Sequence, residues 1–144
     1  MTQPLIRPAC QEDYPHLTVL CEQMGYPCAP EEVAPRLSQI TQDEHHALFV
    51  AEVDGEVVGW IHVVTYPLLE MDLHAELGGL VVDEGHREQG IGRLLMHRAE
   101  EWVRGRGCRE MRIRSNVART SSHQFYKKIG FEIIKTQHTF RKSL

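Results

Sequence analysis

Apolar positions along the chain change period several times, and each change marks a predicted element. Leu5-Ile6-Arg7-Pro8 reads as a short first strand closed by proline. Behind Asp13, a residue suited to cap a first turn, Leu17, Leu20, Cys21 and Met24 recur at helical spacing. Gly25-Tyr26-Pro27 breaks that helix, and a second follows Pro30 with Val33, Leu37 and Ile40 aligned. Pro35 leaves the start of this second helix open, because proline is tolerated cheaply only in the first turn. Residues 47–53 and 56–66 read as strands around Asp54-Gly55, a hairpin turn pair, and Pro67 is expected to end the second of them. A strand over 76–83 contains Gly78-Gly79, a pair that marks a bulge or a close backbone approach. Ile91, Leu94, Leu95, Ala99, Trp102 and Val103 restore the helical period, and Gly105-Arg106-Gly107 stops it. A strand over 109–115, a helix over 120–129 and two closing strands near 131–135 and 137–142 complete the pattern. The order predicts one mixed α/β domain over residues 1–144, with helices on both faces of a sheet.

Composition narrows the partners. With 144 residues and 42% hydrophobic content, the chain can bury one real core. No apolar run approaches the ~20 residues needed to span a bilayer, so no membrane partner is expected. Met1-Thr2-Gln3-Pro4 lacks the basic start and apolar stretch of a signal peptide, which predicts a cytoplasmic protein. Cys10, Cys21, Cys28 and Cys108 show no Cys-x-x-Cys spacing, so neither a disulfide framework nor a zinc site is indicated and no metal is predicted. A net charge of −4 argues against a general nucleic-acid binder. Arg104, Arg106, Arg109, Arg112 and Arg114 form a local basic run, read as a solvated strand edge because Arg112 and Arg114 alternate with Met111 and Ile113.

The most informative stretch is 81–95, a strand that turns through Arg87-Glu88-Gln89-Gly90-Ile91-Gly92-Arg93 into the central helix. A helix N-terminus presents backbone N–H groups without intrahelical partners, and its dipole favours negative charge. Gly90 and Gly92 keep side chains away from those groups and Arg87 adds a cation, so the turn reads as a phosphate seat. Arg93-Leu94 follows where a P-loop needs Lys-Ser or Lys-Thr, and Leu95 stands where a dinucleotide fingerprint needs its third glycine. The remaining pattern resembles the acetyl-coenzyme A pyrophosphate loop of the GNAT superfamily of N-acetyltransferases, Val-x-Pro-x-x-Arg-Gly-x-Gly-Ile-Gly. Val82, Arg87, Gly90, Ile91 and Gly92 match it; Glu84 replaces its proline and Glu88 its first glycine.

A second signature lies downstream. Phe125-Tyr126-Lys127-Lys128-Ile129-Gly130-Phe131 resembles the Phe-Tyr-x-x-x-Gly-Phe segment of the same superfamily. The spacing from Asn116 to Tyr126, with Arg119 and His123 between, is similar to the aminoalkylphosphonate N-acetyltransferase branch. So is the alternation of Phe140, Lys142 and Leu144. The resemblance implies a mostly antiparallel central sheet splayed at its fourth and fifth strands, into which the pantetheine arm of acetyl-coenzyme A enters as a pseudo-strand. Leu80, Val81 and Val82 would pair with its amides, Asn116 would meet it from the facing strand, and the turn 87–93 would hold the diphosphate.

The implied reaction is direct transfer of acetyl to a primary amine of a small molecule. An alkyl amine with a pKa near ~10 must lose a proton first, and Glu76 is the candidate base, with His74 and His62 as rivals. Tyr126 is the candidate acid for the leaving thiolate, and Arg119 and His123 the candidate acceptor contacts. A protein or peptide acceptor is one alternative; a non-catalytic acyl-coenzyme A-binding regulator is another, disfavoured by the presence of both Glu76 and Tyr126. The two N-terminal helices and an expected loop over 66–75 wall either an acceptor pocket or a homodimer contact, and the sequence leaves both open.

Overall fold

The computed structural model describes residues 3–144. These divide into two units, the first ending at Ile113 and the second running from Arg114 to Leu144. In the first, β1 (Leu5–Pro8) leads through a 3-10 turn into α1 (Tyr14–Gln23), and α2 (Pro30–Gln42) follows. β2 (His46–Val53) and β3 (Glu56–Leu68) form the expected hairpin, in which Asp54 and Gly55 both take positive φ, 51° and 82°. β4 (Met71–Val82), α3 (Ile91–Gly105) and β5 (Met111–Ile113) complete the unit. The strands lie in the order β1-β2-β3-β4-β5, antiparallel except for the parallel pair β4–β5. This is the mixed, mostly antiparallel architecture expected.

The sheet is covered on both faces. Leu17 and Leu20 of α1 and Val33 and Leu37 of α2 share a buried cluster with Val50, Trp60 and Val81. On the opposite face α3 buries Ile91, Leu95, Met96, Ala99 and Val103. There Leu95 lies against Gly59, and the Arg98 guanidinium sits 4.3 Å above the Phe49 ring. Leu94, expected on the core face, is 41% exposed, and Met96 takes the buried place. The α3 stripe therefore runs through 91, 95, 96, 99 and 103, one step of the i, i+4 pattern away from the expectation.

Several boundaries differ from the sequence reading. Asp13 does not cap α1 with its side chain, because it sits in helical backbone at the end of the 3-10 turn. Its carboxylate instead accepts the Cys10 N–H at 2.8 Å and both Arg7 guanidinium nitrogens at 2.9 Å. Burial alone would raise this carboxyl, but those bonds outweigh it and hold the group below its usual range. Pro35 lies inside α2, whose start is set by Pro30 in its first turn and by Glu32, which accepts the Ala29 N–H at 2.9 Å.

Pro67 does not end β3, and residues 66–75 are not a loop. They form a hairpin in which Leu68 pairs with Met71, and the register slips between Tyr66 and Leu68 around the proline. Proline is accommodated in a strand at such an irregularity. The strand expected over 109–115 contracts to Met111–Ile113. In the second unit α4 (Thr120–Lys128) forms as expected, but the two closing strands do not. Ile133, Ile134 and Phe140 stand exposed there. Alternation describes the faces of a strand; it does not supply a ladder partner.

Candidate active site

The turn from β4 into α3 is built by side chains that hold its backbone open. Asp83 accepts the Gly85 N–H at 3.1 Å, His86 Nδ1 at 2.9 Å and Gln23 Nε2 at 2.8 Å. Gln23 then accepts the Glu84 N–H at 2.9 Å, so the end of α1 clamps the turn at two points. The bonds from Gln23 and His86 hold the Asp83 carboxyl below its usual range.

Gly90 is the N-cap of α3 with φ +82°, a left-handed conformation that disfavours a side chain whatever the space. A Cβ there would meet nothing within 4 Å, so the position faces open space. Leu94 N–H bonds Gly90 O at 3.1 Å, and the N–H groups of Ile91, Gly92 and Arg93 precede that first helical bond. Arg87 lies alongside, exposed, its Nε donating to Val82 O at 3.0 Å. Glu88 has φ +64°, left-handed like Gly90, at the position where the resembling motif carries glycine. Sequence pattern alone placed Glu88 as a departure from that motif; the structure gives it a backbone conformation that favours glycine.

β4 pairs with β5 only over Ala75–Met111, Glu76–Arg112 and Leu77–Ile113. From Gly78 onward β4 has no strand on that side among the described residues, leaving an edge along Leu80, Val81 and Val82. On its other side the register with β3 slips by one, since His62 pairs with Gly79 and Val63 with Leu77. Gly78 is the extra residue of a β-bulge. A Cβ at Gly78 would come within 2.8 Å of His62 Nδ1, and one at Gly79 within 2.7 Å of the Trp60 ring. Both glycines are therefore required by the rings packed over them. The bulge also changes parity: Glu76 and Val81, five residues apart, face the same side of the sheet only because one residue is inserted between them. The edge runs toward the N-terminus of α3, an arrangement into which an extended arm carrying a diphosphate would fit.

Glu76 stands on the α1/α2 face of the sheet, opposite Val64. Tyr66 Oη donates to Glu76 Oε2 at 3.2 Å, and the Tyr66 ring meets the His74 ring edge-on at 4.4 Å. His74 is buried and donates from Nδ1 to Asp72 O at 3.2 Å. His62 lies on the same face, stacked with His46, the two facing nitrogens 2.9 Å apart. Burial, and then His46, push His62 down to about 4, so it is neutral at pH 7 and a poor proton acceptor. Both rival histidines thus share the sheet face of Glu76, His74 two residues before it and His62 two residues before its partner Val64. Tyr66 was not among the candidates read from the sequence; the expected loop at 66–75 hid the cross-strand register that brings it to Glu76.

The second unit holds the remaining predicted residues. Tyr126 lies half-buried between Phe125 and Phe131, with ring centroids 5.7 and 5.9 Å away, and burial raises its phenol. It stays protonated at neutral pH, as a proton donor must. Asn116 Oδ1 accepts the Ala118 N–H at 2.9 Å. Arg119 is the N-cap residue of α4, and His123 Nε2 lies 3.1 Å from Ser115 Oγ. Among the described residues no group of three or more His, Cys, Asp or Glu is placed to hold a metal ion. No helix among them is long and apolar enough to cross a membrane.

Comparison with known proteins agrees with this geometry. The model of the acetyltransferase (GNAT) family matches residues 12–131. An aminoglycoside N(6')-acetyltransferase type 1 of Klebsiella aerogenes is 30% identical over 150 aligned positions, 99% of each chain. An aminoalkylphosphonate N-acetyltransferase of Salmonella typhimurium is 33% identical over 92, which is 63% of this chain and 58% of that one. The solved structure of aminoglycoside N-acetyltransferase AAC(6')-Iy with CoA shares the fold, with a TM-score of 0.90 at 23% identity over 100% of this chain and 97% of that one. The chain belongs to the acetyltransferase (GNAT) family and is an N-acetyltransferase that takes acetyl-coenzyme A as its cosubstrate.

Proposed function

We propose that residues 1–144 act as one N-acetyltransferase domain that moves acetyl directly from acetyl-coenzyme A to a primary amine of a small molecule. The observation that carries this reading is the Tyr66–Glu76 pair on the sheet face beside the bulge, next to an unpaired strand edge. Aminoglycoside and aminoalkylphosphonate relatives differ in everything but a small molecule bearing an amine. The aminoalkylphosphonate likeness covers less of the chain, so the reading takes the feature common to both.

In this proposal Glu76 takes the ammonium proton, directly or through a water, and the hydrogen bond from Tyr66 orients its carboxylate. The amine lone pair attacks the thioester carbonyl, polarised by a backbone N–H near Leu80 or Val81. The tetrahedral species then expels the thiolate, to which Tyr126 gives its proton, and the second proton lost by the acylated nitrogen restores the phenol. Phenol and thiol ordinarily lie within about two units of each other, near ~10 and ~8.5, and burial of Tyr126 widens that gap. Leu80, Val81, Val82 and Asn116 hold the pantetheine arm, and the turn from Arg87 to Arg93 holds the diphosphate. Arg119 and His123 contact the acceptor. Alignment of amine and thioester supplies much of the acceleration, without a covalent enzyme intermediate.

The test is release of free thiol from acetyl-coenzyme A across a panel of aminophosphonates, polyamines, amino acids and aminoglycosides. Amine-dependent release lowered about 10²–10³-fold in Glu76→Gln, with coenzyme binding intact, is the expected result. An unchanged pH–rate profile in that variant would remove Glu76 from the mechanism.

A further inference from the structure

One side chain carries the end of α1 to the turn into α3. Gln23, the last residue of α1, donates from Nε2 to Asp83 Oδ1 at 2.8 Å and accepts the Glu84 N–H on Oε1 at 2.9 Å. An ionised carboxylate only accepts, and a backbone N–H only donates. A side-chain amide answers both at once, because one carbon carries an acceptor oxygen and a donor nitrogen. Glutamate would answer the N–H alone and lysine the carboxylate alone. Asparagine carries both atoms on a side chain one carbon shorter.

The support behind Gln23 is buried. Leu17 and Leu20 of α1 lie in the cluster with Val50, Trp60 and Val81, and Met24, next along the chain, packs against that cluster. A Cβ at Gly79 would stand 3.6 Å from the Met24 Sδ, so the same helix end also reaches the bulge. Ahead of Gln23, the turn is bonded as far as His86. The Asp83 N–H donates to Val58 O at 2.7 Å and the His86 N–H to Asp83 O at 2.8 Å, while the Gly85 N–H donates to the Asp83 carboxylate at 3.1 Å. From Arg87 to Gly90 no backbone N–H donates to another backbone group among the described residues. Beyond Gly90, Ile91 and Leu95 fix α3 in the core. Residues 87–90 are therefore suspended between two anchors, and Gln23 ties the first of them to α1.

We infer that Gln23 is a positioning residue for acetyl-coenzyme A: by fixing Asp83 and Glu84 against α1, it presets the 87–93 turn for a diphosphate before the coenzyme arrives. The inference rests on the proposed seating of the diphosphate in that turn. A ligand that meets a preset loop does not have to order it, so loss of the Gln23 bonds falls on coenzyme affinity. It falls there only through the part of the ligand that the turn holds. A ligand without the diphosphate should not register the change.

The test compares two ligands in Gln23→Met, which keeps an unbranched side chain of similar length and removes both bonds. Coenzyme A is titrated by calorimetry, and pantetheine, which lacks the diphosphate and the nucleotide, by amide NMR. The Kd for coenzyme A should rise about fivefold or more, the size of at least one net hydrogen bond, and that for pantetheine should change less than about twofold. Should Gln23→Met fail to fold, Gln23→Ala removes the same bonds with a smaller side chain. Gly90→Val, titrated alongside, reports on the seat itself. Coenzyme A binding weakened by Gly90→Val but not by Gln23→Met overturns the role of Gln23 and leaves the proposed seat standing. Equal losses for coenzyme A and pantetheine in Gln23→Met would show a displaced α1, and also overturn the positioning role. Coenzyme A affinity unchanged in both variants overturns the seat, and the inference with it.

Discussion

Tyr66 Oη donates to Glu76 Oε2 across 3.2 Å, linking the two strands of a hairpin on one face of the sheet. A hydrogen bond to a carboxylate oxygen fixes the orientation of the group, which is what proton removal from a bound amine requires. Tyr66→Phe keeps the ring against His74 and removes only the hydroxyl. Its kcat should fall about tenfold with KM for acetyl-coenzyme A unchanged, and Glu76→Gln should fall about 10²–10³-fold. Because the two residues act as a unit, the double variant should be no slower than Glu76→Gln alone. Steady-state thiol release measures all three, and full additivity would separate Tyr66 from the base.

Glu88 occupies left-handed backbone, φ +64°, without being glycine. Such a conformation costs a non-glycine residue on the order of 1 kcal/mol, and the exposed carboxylate lies in the turn proposed to seat a diphosphate. Glu88→Gly should therefore raise stability by about 0.5–1 kcal/mol and tighten coenzyme A binding several-fold. Thermal melts and calorimetry read the two effects separately. A less stable variant would mean that Glu88 makes compensating contacts.

At Gly90 the constraint is conformational, since φ is +82° and the space around it is open. Asparagine tolerates left-handed backbone and a β-branched residue does not. Coenzyme A affinity should therefore fall in the order Gly90→Asn, then Gly90→Val, with the valine variant weaker than the parent by tenfold or more. Equal losses in the two variants would point to steric exclusion instead.

These residues also show what sequence could and could not reveal. Asp54-Gly55 announced its hairpin because both residues must adopt positive φ, and few residue pairs do so readily. The second hairpin turns at Leu69-Glu70, where neither residue advertises a turn, and Pro67 pointed the other way. Missing it cost the Tyr66–Glu76 contact, which exists only through that pairing. The glycine pair in β4 was legible as a bulge, but its cause was not: the rings of His62 and Trp60 lie 16 or more residues away in sequence. Gln23, which clamps the turn into α3 from 60 residues away, left no local signal at all. Periodicity reads faces and caps; it does not read which distant side chain arrives at a given loop.

His62 gives the fold a pH dependence whose direction is fixed. Its ring nitrogen lies 2.9 Å from that of His46, so one of the two must accept and remain unprotonated there. His46 Nε2 in turn lies 3.8 Å from the Asp43 carboxylate. With burial and His46 pushing His62 down to about 4, the folded chain leaves it neutral while the unfolded chain protonates it below ~6.5. The depressed value therefore adds stability that is fully present above about pH 6.5 and is lost as pH falls toward 4. The slope in that window is at most about 1.4 kcal/mol per pH unit for one proton. His62→Gln removes the titrating group and keeps a polar side chain. The stability of the parent minus that of His62→Gln, from denaturant melts between pH 4 and 8, should be flat above about 6.5 and decline below it. A difference that stays constant across the whole range would show that His62 binds its proton equally well in the folded and unfolded chains.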